Sequence, residues 1–271
     1  MTLVCIDVGN THTVIGLLDG LEVKQHWRVS TDERRTADEW AVLISGLLSG
    51  PRTALPNWNT DIPVPPADGI ALCSTVPMVL HEMREMLAQY FAEVPQVVIE
   101  PGVRTGVPVL MDNPREVGTD RIVNALAAAQ LYPGPRIVVD FGTATTFDVV
   151  SAKGEYVGGA IAPGIEISLE ALGRRGAQLR KVELLRPRAV IAKNTVEALQ
   201  SGTVYGFAGQ VDGIVARMVA ELGVSRGDVT VIGTGGLAAV VLAECTSIDV
   251  YEPLLTLMGL RLAFDRVRSS R

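Results

Sequence analysis

Two short stretches carry residue types that could grip a phosphate. Asp7-Val8-Gly9-Asn10-Thr11-His12-Thr13 and Asp140-Phe141-Gly142-Thr143-Ala144-Thr145-Thr146 each place a carboxylate, a glycine and small polar side chains directly after an apolar run. A nucleotide phosphate needs backbone N–H donors at short range, which glycine and small hydroxyl residues permit, and its magnesium needs carboxylate or water oxygens. The alternative for one copy is a plain turn, with the acid capping a strand end and the glycine at positive φ. Recurrence of the pattern at corresponding places in a chain of 271 residues favours the phosphate reading and points to duplicated halves.

The elements that must position these stretches follow from periodicity and punctuation. Residues 3–6 read as a buried strand, 14–18 as a second one ending at the Asp19-Gly20 turn signal, and 21–29 as a third. Thr36-Ala37-Asp38-Glu39 has the Thr-x-x-Glu form of a capping box and predicts a helix to about Leu48. Residues 51–66 hold five prolines without periodicity and read as a long surface loop. Residues 70–73 predict a strand, Ser74 or Thr75 a cap for a helix through about Tyr90, and 97–99 a short strand. Thr119 is expected to cap a helix that holds Ile122, Val123, Leu126, Ala127 and Leu131 and stops near Pro133-Gly134.

The second half repeats the opening. Residues 137–140 read as a strand that ends in Phe141-Gly142-Thr143, and 147–151 as its continuation before Lys153-Gly154. The expected division is 1–117 with the first phosphate loop and 118–271 with the second. Residues 194–222 read as a long helix in which Gly202, Gly206, Gly209 and Gly213 recur three or four positions apart. Each glycine costs about 1 kcal/mol against alanine, so another backbone should approach closely, either within the chain or across a subunit interface, with the interface preferred.

Composition bounds the remaining function classes. An apolar content of 48% with 20% charged residues describes a globular chain without disordered tracts. A net charge of -6, from 30 acids against 24 bases, leaves no basic surplus for a nucleic-acid backbone, and Arg34-Arg35 and Arg174-Arg175 read as solvated faces. The three cysteines, Cys5, Cys73 and Cys245, form no close pair and fit free thiols in a reducing cytoplasm. No long apolar run or leader pattern suggests secretion or a membrane span, so a cytoplasmic location is expected.

Other nucleotide motifs are missing or weak. No Gly-x-x-x-x-Gly-Lys-Ser/Thr occurs, which disfavours a P-loop fold. Ile232-Gly233-Thr234-Gly235-Gly236 lacks the following βαβ unit of a dinucleotide fingerprint and fits a third nucleotide-contacting loop or a simple strand-to-helix turn. His12 lies in the first loop without a Cys or carboxylate at metal or triad spacing; its expected role is loop hydrogen bonding rather than catalysis.

The paired Asp-x-Gly loops with the later Gly-Thr-Gly-Gly resemble the phosphate and adenosine segments of the actin, hexokinase and Hsp70 superfamily. Within it, "DVGNTHTVIGL", "DNPREVGTDRIVNA", "DFGTATTFDVV", "GGAIAPGI" and "KNTVEALQSGTVYGFAGQVDGIV" together resemble type III pantothenate kinase, from residue 4 to about 264. The resemblance implies an α/β fold of two duplicated actin/ribonuclease-H-like lobes with a nucleotide cleft between them. It also implies phosphorylation of pantothenate by ATP as the first step of coenzyme A biosynthesis, and a homodimer.

Carried over by position, the resemblance implies that Asp7, Val8, Gly9, Asn10, Thr11, His12, Thr13 and Val14 form the ATP phosphate loop, with Asp7 near magnesium directly or through water. It further implies that Thr143 contacts ATP and that Asp140 serves a monovalent cation, potassium or ammonium. Gly118, Thr119, Asp120 and Arg121 match the pantothenate-binding segment, with Asp120 as catalytic base, and Thr195 matches a further substrate contact. This chain has Met111 where many relatives have tyrosine, so no contact by that tyrosine carries over.

A carboxylate within reach of a primary alcohol can orient it and accept its proton late in a loose transition state. At a helix start the dipole keeps Asp120 ionised and makes it a weak base; its other reading is a first-turn acid that stabilises the helix. Arg121 could pair with a substrate carboxylate or with a surface acid, and both readings stand. Two competing functions are a kinase for another small alcohol, which would keep both Asp-x-Gly loops without the 118–121 segment, and a regulatory protein. The presence of Asp7, Asp120 and Asp140 argues against the second.

Overall fold

The computed structural model describes residues 1–49, 67–175, 182–236 and 239–269. The proline-rich segment 51–66 lies outside the described residues. Two compact units divide the chain: the first takes 1–106, 113–127 and 256–271, the second 107–112 and 128–255. Residues 118–127 and 256–271 therefore pack with the first unit, whereas the sequence expectation put them after the boundary.

The first unit is built on a sheet of β1 (Thr2–Val8), β2 (His12–Asp19), β3 (Glu22–Ser30), β4 (Gly69–Ser74) and β5 (Gln96–Ile99), in the order β3-β2-β1-β4-β5. β1 pairs antiparallel with β2 and parallel with β4. α1 (Ala37–Leu48) and α2 (Pro77–Tyr90) cover one face, where Trp40, Ile44, Met83 and Leu87 pack on Val4, Ile6 and Ile15. Burying such side chains stabilises by about 1.5–3 kcal/mol each. α3 (Thr119–Leu131) begins in this unit and is tied there to α7 (Leu255–Ser269) by the Thr256 hydroxyl, 2.9 Å from Asn124 Oδ1.

The second unit repeats the plan. β6 (Arg136–Phe141), β7 (Ala144–Val150), β8 (Tyr156–Pro163), β9 (Thr230–Thr234) and β10 (Val250–Tyr251) form a sheet that reads β8-β7-β6-β9-β10. Two antiparallel hairpins followed by two parallel strands is the strand plan of the first sheet, so the duplicated α/β architecture expected from the paired loops is present in each unit. α4 (Ile165–Arg175), α5 (Thr195–Leu222) and the short α6 (Ala239–Leu242) accompany it, with Val211, Val215 and Val219 packed on Ile137, Val139 and Phe147.

Local signals explain most boundaries. Thr36 and Glu39 form the reciprocal capping box of α1, and Asn194 caps α5 by accepting from the Glu197 N–H at 2.9 Å. Two expected caps are corrected. α2 starts at Pro77 after Val76 with no side-chain cap, because the Ser74 hydroxyl bonds around the Val76 backbone and that of Thr75 donates to Val8 O. Thr119 is the first residue of α3 rather than its cap: its hydroxyl donates to Ser74 O, and Gly118 O receives the Ile122 N–H.

Among the described residues, no backbone from another element meets the glycines of α5. Among the described residues nothing lies within 4 Å of a Cβ built at Gly202, Gly206 or Gly209, and only the Arg217 side chain lies near Gly213. Cys5 and Cys73 are buried, Cys245 is partly exposed, and all three are free thiols. No described helix is long and apolar enough to cross a membrane.

Candidate active site

Each Asp-x-Gly stretch closes a hairpin on the middle strand of its sheet. In the first unit the Gly9 N–H donates to His12 O at 3.0 Å, and in the second the Gly142 N–H donates to Ala144 O at 3.0 Å. Asp7 pairs across with Val14 and Asp140 with Thr146; Val8 pairs with Thr13 and Phe141 with Thr145. The two loops therefore superimpose in register, the second being one residue shorter. Neither glycine sits at positive φ, which removes the need that a plain turn would have explained.

Asp7 stands at the carboxyl end of β1, where ligands enter open α/β sheets. Burial and the nearby charge of Asp120 push its carboxyl up to about 7, while a hydrogen bond from the Cys73 thiol, Sγ to Oδ1 at 3.3 Å, pulls the other way. Asp120 comes beside it because the Thr119 hydroxyl is anchored on Ser74 O, and Ser74 is the register partner of Val8. The Asp120 Oδ1 accepts the Arg121 N–H at 2.9 Å and folds over Gly118, where a Cβ would stand 2.5 Å away. The first unit thus brings Asp7, Gly118, Thr119, Asp120 and Arg121 to one place.

The rest of the first loop is braced from β3. The Thr31 hydroxyl donates to Gly9 O at 2.7 Å and lies 2.9 Å from that of buried Thr13, and the Thr31 N–H donates to Thr11 O. Asn10 and Thr11 are exposed at the tip, and His12 takes part through its carbonyl. Val14 pairs back to Arg28 and sits behind the loop.

In the second unit Asp140 is the register partner of Thr234 on β9, and its Oδ1 lies 2.5 Å from a Cβ built on Gly235, beside the Phe141 backbone. Gly235 has φ +92°, a conformation that favours glycine. The Gly-Thr-Gly-Gly segment therefore closes against Asp140. Thr143 O receives the Gly164 N–H at 3.2 Å, so the tip leads straight to the start of α4. Thr195 is exposed on the first turn of α5, behind the Asn194 cap. Met111 packs its sulfur 3.5 Å from a Cβ built on Gly158 of β8.

A family description, type III pantothenate kinase, matches residues 3–217. The chain belongs to the type III pantothenate kinase family. A type III pantothenate kinase of Streptomyces avermitilis is 66% identical over 264 residues, which is 97% of this chain and 98% of that one. Among solved structures, the activator of the 2-hydroxyisocaproyl-CoA dehydratase from Clostridium difficile, with bound ADPNP, covers 100% of this chain and 97% of its own at 14% identity and a TM-score of 0.50. The ROK hexokinase from Thermus thermophilus covers 97% of this chain and 98% of its own at 16% identity and a TM-score of 0.50. These two likenesses concern the fold, which is of the actin/hexokinase type.

The donor set around Asp7 fits a hard divalent cation. Two carboxylates that oppose one another's charge, one of them raised to about 7, are relieved by a cation that prefers oxygen. Among the described residues no three His, Cys, Asp or Glu side chains converge on one point, so further ligands would be phosphate oxygens and water. Asp140, crowded with the Phe141 carbonyl around Gly235, offers the oxygen atoms that a monovalent cation takes. Sequence reasoning missed the roles of Thr31 and Cys73. Their signal was positional: a parallel strand ending level with β1 had to put some side chain beside Asp7, and that strand ends in Cys73-Ser74.

Proposed function

We infer that this family member transfers the γ-phosphoryl group of ATP to the primary hydroxyl of pantothenate, giving 4′-phosphopantothenate and ADP and opening coenzyme A biosynthesis. The observation that carries the site assignment is the approach of Asp120 to Asp7 within one compact unit. One carboxylate faces the phosphate side and the other the alcohol.

Asp120 orients the hydroxyl and takes its proton as the new P–O bond forms and the bond to ADP breaks. Its place in the first turn of α3 sets its carboxylate at the positive end of the helix dipole. Gly118, Thr119 and Arg121 hold the pantothenate side, with Arg121 set to pair with the substrate carboxylate, and Thr195 adds a further contact. The loop from Asp7 to Val14 and Thr143 hold the ATP phosphates. Because the Gly9 and Gly142 N–H groups are taken up within their hairpins, the phosphate contacts fall to the remaining loop amides and hydroxyls. Asp7 would hold magnesium and Asp140 potassium or ammonium, ions that neutralise phosphate charge when bound. The open glycine positions of α5 suit close packing of a second copy, and size-exclusion chromatography with light scattering would read a homodimer.

The deciding assay couples ADP release to pantothenate, with and without potassium, in the wild type and in Asp120→Asn. Pantothenate-dependent ADP release that Asp120→Asn lowers by about 10²-fold or more is expected. Pantothenate-independent turnover, or turnover with other small alcohols only, would overturn the substrate assignment.

A further inference from the structure

We propose that Cys73 is a positioning residue for the Asp7 carboxylate, a role that rests on the reading of Asp7 as the magnesium-side acid. β1 and β4 run parallel, and Asp7 and Cys73 are register partners, so both side chains leave the sheet on the same face. The thiol reaches Asp7 Oδ1 at 3.3 Å. Cys73 is fully buried, and its S–H donates to the Asp7 carboxylate from the neighbouring strand.

The consequence lies in how strongly the carboxylate is held. Asp7 has Asp120 as a near neighbour, and a carboxylate repelled by another rotates away unless something fixes it. A thiol is a weak donor with a long bond: it fixes one oxygen without strongly competing for the charge that a cation needs. No other side-chain donor from β4 can do this, because besides Cys73 only Ser74 carries one and its hydroxyl bonds around the Val76 backbone. Cys5, also fully buried on this face, offers a control, since truncating it removes a buried thiol two residues before Asp7 without removing this bond.

The test measures ADP affinity by calorimetry with and without magnesium, together with kcat and the KM for Mg·ATP, in Cys73→Ala, Cys73→Val, Cys73→Ser, Cys5→Ala and Asp7→Asn. Cys73→Val keeps the buried volume if Cys73→Ala folds poorly. The magnesium-dependent gain in ADP affinity is expected to fall about tenfold in Cys73→Ala and Cys73→Val, and to return to within about threefold of wild type in Cys73→Ser. Cys5→Ala is expected to change thermal stability alone. An unchanged magnesium-dependent gain in Cys73→Val, or a Cys73→Ser variant as weak as Cys73→Ala, overturns the role of Cys73. If Asp7→Asn loses the gain while Cys73→Val keeps it, only the role of Cys73 falls; if Asp7→Asn keeps it, the assignment of Asp7 falls as well.

Discussion

The carboxylate of Asp120 folds back over Gly118, so that a Cβ at position 118 would stand 2.5 Å from Oδ1. Glycine is required there by the acid two residues later rather than by the backbone, since Gly118 has no positive φ. Gly118→Ala should displace the carboxylate and lower kcat by about 10²-fold. Its melting temperature should stay near that of the wild type. Steady-state kinetics beside a thermal melt checks this, and an unchanged kcat would mean that the Asp120 position is not critical.

Gly235 is constrained twice, by φ +92° and by Asp140 Oδ1 and the Phe141 backbone within 2.7 Å of its would-be Cβ. Gly235→Ala should destabilise the second unit by about 2 kcal/mol or more. Gly227→Ala, where no described residue lies within 4 Å of the added Cβ, serves as the control and should stay within about 0.5 kcal/mol. Urea titrations of both variants test the difference.

Thr13 and Thr145 occupy the same place in the two hairpins and are both buried, yet among the described residues only Thr13 finds a partner for its hydroxyl. The cause is the residue after the third strand. Thr31 supplies a hydroxyl in the first unit; Gly164 stands at that register in the second, where a Cβ would lie 2.2 Å from Thr143 O. Thr13→Val should therefore cost about 1 kcal/mol, whereas Thr145→Val should be neutral or stabilising. Equal losses by calorimetry would show that the Thr145 hydroxyl gains a partner from outside the chain.

Asp212 on α5 holds the turn after α6 through the N–H and hydroxyl groups of Thr246 and Ser247. Burial alone would raise its ionisation, but the Ser247 and Thr246 bonds outweigh it and bring the carboxyl below its ordinary 3.8. A depressed folded value means stability that is present above about pH 4 and lost as the pH falls through the folded value. Asp212→Asn should lower stability by about 1 kcal/mol at neutral pH, with solvent screening allowed for, and the gap to wild type should close below pH 4. Melts across pH 3–8 read this directly, and a gap that stays constant would refute the assignment.

Much of the site was legible as spacing. The Asp-x-Gly hairpins and the capping box at Thr36 are local: each is decided by a few adjacent residues whose hydrogen bonds close over short range. The caps assigned to Ser74, Thr75 and Thr119 were not legible, because hydroxyls near a strand end have two classes of partner. Here the carbonyls of Val8 and Ser74 or the Val76 backbone take them.

Sequence by itself determined that the chain holds two copies of one strand plan and that Asp7 and Asp140 are counterparts, because a repeat of residue types at equal spacing survives without knowledge of any contact. Only tertiary structure decided which acids share a compact unit. Asp120 is nearer along the chain to Asp140, yet it belongs to the same compact unit as Asp7, since α3 is pinned to β4 by Thr119 and to α7 by Asn124. The asymmetry of the two hairpins was decided there too: a threonine fits at position 31 and only glycine fits at 164, and the difference lies in how closely a neighbouring carbonyl approaches.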